Sequence, residues 1–342
     1  MRSICDNGII FMKLFRLSVL LLAFGAAGAA VAQERSGFVR PRYLRLGDTV
    51  GLAAPARRLA ARTDTASIRE RFASWGLHVV FAPHCCDDSQ PYFSAPDTER
   101  AADLQQMLDD PSIRAVIACR GGYGSVRLLP YLQLEGLRSD PKWVVGFSDI
   151  TTLHLALFRL GIESIHGTMP GAFRFDEEDI SAESLRRALF GETRRIDTPP
   201  HALDVPGQGR GRLVGGNLTV LCAACGTPEG LDAEEPTILF IEEVGEHAYR
   251  IDRMLQQLLR SGALRRVRAV VVGDFTRSSG AEQFGVEDVR EVVAANLRHL
   301  GIPLLFGVPA GHDDLNVALY LGREVAVAVD DEGGRIVFSD DD

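Results

Sequence analysis

From Asp48 onward, short runs of apolar residues alternate with segments whose apolar positions recur at helical spacing. Thr49–Ala54 reads as a strand stopped at Pro55, Ala66–Trp75 as a helix ended by Gly76, and His78–Ala82 as the next strand. Asp97 caps a helix running to about Leu108, Arg114–Cys119 is a strand, and Val126–Leu132 opens a helix. Trp143–Gly146 is a strand, followed by a helix over Ile150–Leu160 that stops at Gly161. Repeated βα units of this kind predict an α/β fold with a parallel sheet covered on both faces. The pattern lapses over 173–211, where Asp, Glu, Arg, Pro and Gly dominate, which predicts a linker or crossover. It then resumes with a helix from Leu218, a strand over Thr237–Ile241 and a helix over Tyr249–Leu259. A strand over Val267–Val272, a helix over Val286–Leu297 and strands near Leu304 and over Glu324–Val329 complete it. The expectation is an N-terminal parallel-sheet domain over 46–172 and a C-terminal α/β domain over 212–342, with a cleft between them.

The first 32 residues follow another rule. Lys13 and Arg16 precede the apolar run Leu17–Phe24, and small residues end in Ala30-Val31-Ala32, the anatomy of an export signal cleaved near Ala32. Translation can start at Met1 or Met12, and 33–45 is left as an extension. The apolar run is short of the ~20 residues a membrane-spanning helix needs, so the expectation is an exported, periplasmic protein without stable membrane insertion. Hydrophobic residues make up 46% and charged residues 24%, which excludes disorder as the main state. A net charge of −9 argues against a nucleic-acid partner. The remaining cysteines, Cys85, Cys86, Cys119, Cys222 and Cys225, are odd in number and exclude a dense disulfide framework. Cys222 and Cys225 lie in an apolar helical run with no second ligand pair, so they read as buried helix residues, and no metal centre is expected.

Chemistry concentrates in a few places. Arg120-Gly121-Gly122-Tyr123-Gly124-Ser125 joins a buried strand to a predicted helix, and such a turn can lift a hydroxyl to the carboxyl end of a parallel sheet. A phosphate loop competes with a nucleophile turn and a plain βα turn, but the G-x-x-x-x-G-K-[ST] pattern is absent and no Lys lies in the loop. Ser148, in Gly146-Phe147-Ser148-Asp149, lies at a similar junction but follows one glycine and precedes a capping acid, so it reads as a site-wall residue. Of the eight histidines, His312 stands in a Gly-flanked loop suited to a general base, ahead of His166 after a strand. Glu242 ends an otherwise apolar strand, which is costly without a partner; Glu243 points to the opposite face.

Taken together, Arg120–Ser125, Gly146–Asp149, His166-Gly167, Gly215–Leu218, Phe240–Glu243 and Gly311-His312 resemble the LD-carboxypeptidase family of serine peptidases, in that family's order and from about Leu46 to near the C-terminus. The resemblance implies a Ser–Glu–His triad on Ser125, Glu242 and His312, with backbone N–H groups of Gly122 and Val126 facing the oxyanion. It places the nucleophile in the N-terminal domain and the acid and base in the C-terminal one. Arg120, Tyr123, Arg127, Ser148 and His166 are left as substrate-binding candidates, Arg120 or Arg127 for a terminal carboxylate. Gly124 stands where microcin immunity peptidases carry Asn before the nucleophile, which points to the murein-tetrapeptide branch. Tyr320 stands where the family commonly has proline. The implied activity is release of terminal D-alanine from a murein tetrapeptide, without cofactor or metal, by a homodimer. A microcin-immunity peptidase or small-ester hydrolase with the same triad, and a two-lobed exported binding protein, are the competing expectations.

Overall fold

The computed structural model describes residues 37–60, 63–87, 90–175, 178–231 and 234–339; the export signal expected over 1–32 lies outside them. Five strands alternate with helices in the first half: β1 Thr49–Ala53, β2 His78–Phe81, β3 Ile113–Ala118, β4 Trp143–Gly146 and β5 Ser164–His166. Between them run α1 Thr65–Ser74, α2 Asp97–Asp109 and α3 Thr151–Arg159. Both α1 and α2 begin and end within a residue or two of the positions their patterning predicts. Asp64 accepts from the Ala66 N–H to cap α1, and Gly76 takes a left-handed φ of 73° just past its end. By contrast, the helix expected over Val126–Leu132 is two short 3₁₀ turns, Ser125–Arg127 and Leu129–Tyr131. Pro130 has no N–H to donate to the preceding turn, so an α-helix cannot propagate there.

The segment expected as a linker is largely ordered structure. It contains α4 Ile180–Leu189, β6 Arg195–Thr198 and the first residues of β7 Gly207–Asn217. The second half continues with α5 Leu218–Ala223, β8 Thr237–Val244, α6 Ala248–Ser261, β9 Val267–Thr276 and α7 Val289–Leu297. The last strands are β10 Leu304–Leu305, β11 Leu319–Leu321, β12 Glu324–Asp330 and β13 Gly333–Phe338.

Two mixed sheets result. The first has the order β11-β5-β4-β3-β1-β2, parallel except for β11, which runs antiparallel to β5. The second has the order β10-β9-β8-β7-β12-β13-β6, parallel from β7 to β10 and antiparallel beyond. From Phe38 onward the chain forms one compact unit, and one apolar core joins Val145 and Ile165 of the first sheet to Phe240 and Val271 of the second. In the first sheet the strand order reverses at β1 and β3, where a crevice opens beyond the carboxyl ends of the strands. No helix among the described residues is long and apolar enough to cross a membrane.

Candidate active site

The loops leaving β1, β3 and β4 meet those leaving β8 and β9 around a cavity of about 580 Å³. Its lining includes Arg57, Arg120 to Gly122, Phe147, Ser148, Val244, Arg277 and the loop from Gly311 to Asn316. Among the described residues, Ser148 and Arg277 are the non-glycine positions with left-handed backbone, at φ 64° and 53°. Both line this cavity. Backbone strain of that kind persists where the surrounding structure enforces it, commonly at functional positions.

Ser148 sits at the sharp turn between β4 and α3, so its hydroxyl leaves the sheet edge and enters the cavity. Gly146 permits the turn, because a Cβ there would lie 2.8 Å from Ile150 Cγ1. The Ser148 hydroxyl is 3.0 Å from His312 Nε2, and His312 Nδ1 is 2.6 Å from Glu242 Oε2. An ionised carboxylate only accepts, so Nδ1–H donates to Glu242 and Nε2 is left to accept from Ser148. Gly311 makes this possible: with φ 143°, it brings the His312 loop within 3.1 Å of Glu242 Cβ, measured from where its own Cβ would stand. The Glu242 side chain is fully buried, and that burial raises its pKa while the bond to His312 opposes the rise. Asp274 packs beside the same loop and accepts from the Asp313 N–H at 3.2 Å; burial raises it to about 6.

The structure does not bring the expected nucleophile to His312. Ser125 is fully buried, its hydroxyl has no hydrogen-bond partner among the described residues, and its N–H donates to Asp149 Oδ2 at 2.8 Å. The hydroxyl that meets His312 belongs to Ser148. Val126, expected as an oxyanion donor because it follows Ser125, exposes its side chain and does not line the cavity. The residue ahead of the paired hydroxyl is Phe147, so Gly124 no longer bears on the choice between family branches. One signal in the sequence separates the two serines: Pro130 interrupts the helix expected after Ser125, whereas no proline interrupts Thr151–Arg159 after Ser148.

The other candidates separate clearly. Gly122 and Arg120 line the cavity. Arg127 is instead held by Asp97 at 2.7 Å, and Tyr123 packs against Phe93 outside the lining. His166 is buried behind Phe147 and Phe240, with its Nε2 3.1 Å from Asn316 Oδ1. Asn316 Oδ1 also accepts from the Gly311 N–H, so His166 supports the His312 loop from behind. Burial pushes His166 down to about 3, which keeps it neutral. Glu243 does face away from Glu242, accepting from the Thr219 N–H and hydroxyl at the start of α5. Tyr320 does not touch the His312 loop through its hydroxyl; it donates to the Ala188 carbonyl at 2.7 Å. Among the described residues no cluster of His, Cys, Asp or Glu is arranged to hold a metal ion.

Comparison with known proteins agrees with this architecture. Residues 50–167 match the LD-carboxypeptidase N-terminal domain and 210–327 match the LD-carboxypeptidase C-terminal domain. A putative carboxypeptidase of Streptomyces coelicolor is 39% identical over 80% of this chain and 88% of its own length. The murein tetrapeptide carboxypeptidase of Pseudomonas aeruginosa is 32% identical over 84% of this chain and 94% of its own length. Among solved structures, the muramoyltetrapeptide carboxypeptidase of Oxalobacter formigenes is 27% identical, covers 85% of this chain and 99% of its own, and superposes with a TM-score of 0.75. The microcin C7 self immunity protein MccF shares the fold at a TM-score of 0.76 and 22% identity, covering 87% of this chain and 97% of its own. With both domain matches in the expected order and relatives above 30% identity along most of its length, the chain belongs to the LD-carboxypeptidase family.

Proposed function

We propose that the protein is a serine carboxypeptidase that hydrolyses the L,D-peptide bond releasing terminal D-alanine from murein tetrapeptides. The hydrogen-bonded series from Ser148 through His312 to Glu242, at the wall of the cavity, carries this reading. Ser148 Oγ attacks the scissile carbonyl carbon while its proton passes to His312 Nε2. The negative charge on the carbonyl oxygen falls to the N–H of Asp149, at the head of the following helix, and to the N–H of Gly122. Collapse of the tetrahedral intermediate breaks the C–N bond, and His312 gives its proton to the leaving amine of D-alanine. Water, activated by the same imidazole, then releases the acyl group. Glu242 holds the imidazole in the tautomer that accepts at Nε2 and stabilises its cation.

Relatives of 32% and 33% identity are named for murein peptides, which supports murein as the substrate class over a microcin-type conjugate. Export to the periplasm follows from the residues ahead of Gln33, and a homodimer from the family resemblance; both belong to this proposal. Mass spectrometry of purified muropeptides tests the activity. Incubation with the protein should remove one alanine from a tetrapeptide. Ser148→Ala should lower turnover by about three orders of magnitude or more, while Ser125→Ala stays within a few-fold. Loss of activity in Ser125→Ala alone would reverse the assignment.

A further inference from the structure

Gly121 and Gly122, adjacent in the loop after β3, are pressed by different neighbours. A Cβ on Gly121 would stand 3.3 Å from Ser148 Oγ. A Cβ on Gly122 would collide with Cδ and Cγ of Arg57, which reaches across from the loop after β1. Consecutive Cα atoms are about 3.8 Å apart, so the stem of Arg57 passes within two short steps of the Ser148 hydroxyl. Gly122 is therefore the gap through which this side chain enters the cavity. Its guanidinium lies 4.9 Å from the centre of the Tyr92 ring, and Tyr92 is braced edge-on by Phe93 at 5.0 Å. Among the described residues Arg57 has no hydrogen-bond or ion-pair partner. A half-buried cation, stacked and oriented but unneutralised, is matched to an anion brought by the ligand.

The other arginines of the cavity are placed differently: Arg120 lies with its stem against Gly171 and already has an interaction of its own. Arg174 is paired with Asp314 at 2.6 Å, and Arg277 enters exposed from the end of β9 on the second sheet. In a peptide cleaved at its last bond, the terminal carboxylate is three bonds from the scissile carbonyl carbon, about 3–4 Å through space. A cation holding that carboxylate has to sit next to the nucleophile rather than at the far end of the cavity. We propose that Arg57 grips the C-terminal carboxylate of the peptide and so confines the enzyme to the last residue. This rests on reading the cavity as a carboxypeptidase site.

The test compares a tetrapeptide ending in free D-alanine with the same peptide as its C-terminal amide. Wild-type protein should prefer the acid by at least about 30-fold in kcat/KM. Arg57→Gln should bring the ratio to within about threefold of unity by slowing the acid and sparing the amide. Arg57→Lys, which keeps the charge without the planar fork, should give an intermediate ratio. Each ratio is measured on one preparation, so incomplete folding of a variant cancels. An acid preference unchanged in Arg57→Gln overturns the assignment. Wild-type protein that cleaves neither peptide overturns the carboxypeptidase reading instead.

Discussion

At Ser148 the backbone adopts φ 64°, a conformation costing a non-glycine residue roughly 1–3 kcal/mol, and the surroundings have to hold it. His154 is part of that support. Its Nε2 lies 2.9 Å from the carbonyl of Gly146, two residues before the serine, so Nε2 carries the proton; Nδ1 then accepts from the Ser164 hydroxyl at 2.9 Å. Buried among apolar residues, His154 is pushed down to about 4 from an ordinary value near 6.5. A depressed histidine costs nothing above the ordinary value. Below it the unfolded chain takes a proton that the folded protein refuses, so stability drains away as pH falls from about 6.5 toward 4. Replacing His154 by Gln removes this acid-side penalty while losing the bonds at every pH. The stability deficit of His154→Gln against wild type, read by urea unfolding, should be about 2 kcal/mol smaller at pH 5 than at pH 7. A deficit equal at both pH values would show that His154 is not buried in the neutral form. Of the residues proposed to react, Glu242 and His312 stand out in the sequence because an acid in an otherwise apolar strand and a histidine in a Gly-flanked loop are both anomalies. Ser148 is the harder residue to read. Its neighbour Asp149 reads as a local cap, and only the packed fold shows that carboxylate directed at another loop.

That carboxylate works between elements. Asp149, buried at the start of α3, accepts from the N–H of Ser125 and so ties the glycine loop after β3 to the turn after β4. The loop it tethers also carries Gly121 and Gly122, which line the cavity. Removing the acceptor leaves a buried N–H unpaired at a cost of about 1–3 kcal/mol, and loosens the donors proposed for the oxyanion. Asp149→Ala should therefore lower the unfolding midpoint in urea and cut kcat more than KM. A fall in stability with kcat intact would confine Asp149 to a structural role. The element least legible in the sequence is β7, because Gly207, Gly209 and Gly211 resemble a linker. Its glycines answer to neighbours instead. A Cβ on Gly209 would stand 2.5 Å from the Arg268 carbonyl oxygen, and one on Gly211 would stand 2.6 Å from that of Pro236. Such contacts between remote residues leave no periodicity to read. The inner strands of the first sheet, β1, β3 and β4, are buried along almost their whole length and appear plainly as apolar runs.

At the scale of the whole molecule, the site exists only while the two sheets hold their positions, since Ser148 follows a strand of the first and Glu242 lies near the end of a strand of the second. Thr151 accepts from the Asn217 N–H at 3.0 Å across this boundary, and β11 carries the chain from the second half back onto the first sheet. Beside β11, Arg323 donates to Glu163 Oε2 from Nε at 2.9 Å and from Nη2 at 2.6 Å, with both side chains almost wholly buried. The guanidinium also donates to the Tyr43 hydroxyl at 2.8 Å and lies 3.7 Å from the centre of the Tyr320 ring. Tyr320 thus serves the seam between sheets rather than the His312 loop. A buried pair of this kind contributes little over an apolar replacement, yet breaking it strands a charge at about 3–5 kcal/mol. Glu163→Leu should accordingly destabilise by that amount, and Glu163→Leu combined with Arg323→Met should recover most of the loss in urea unfolding. Activity should follow stability through the series, because the seam acts on the site by keeping Ser148 within reach of His312. A double variant that regains stability but stays inactive would show that the charge pair orients the sheets as well as joining them.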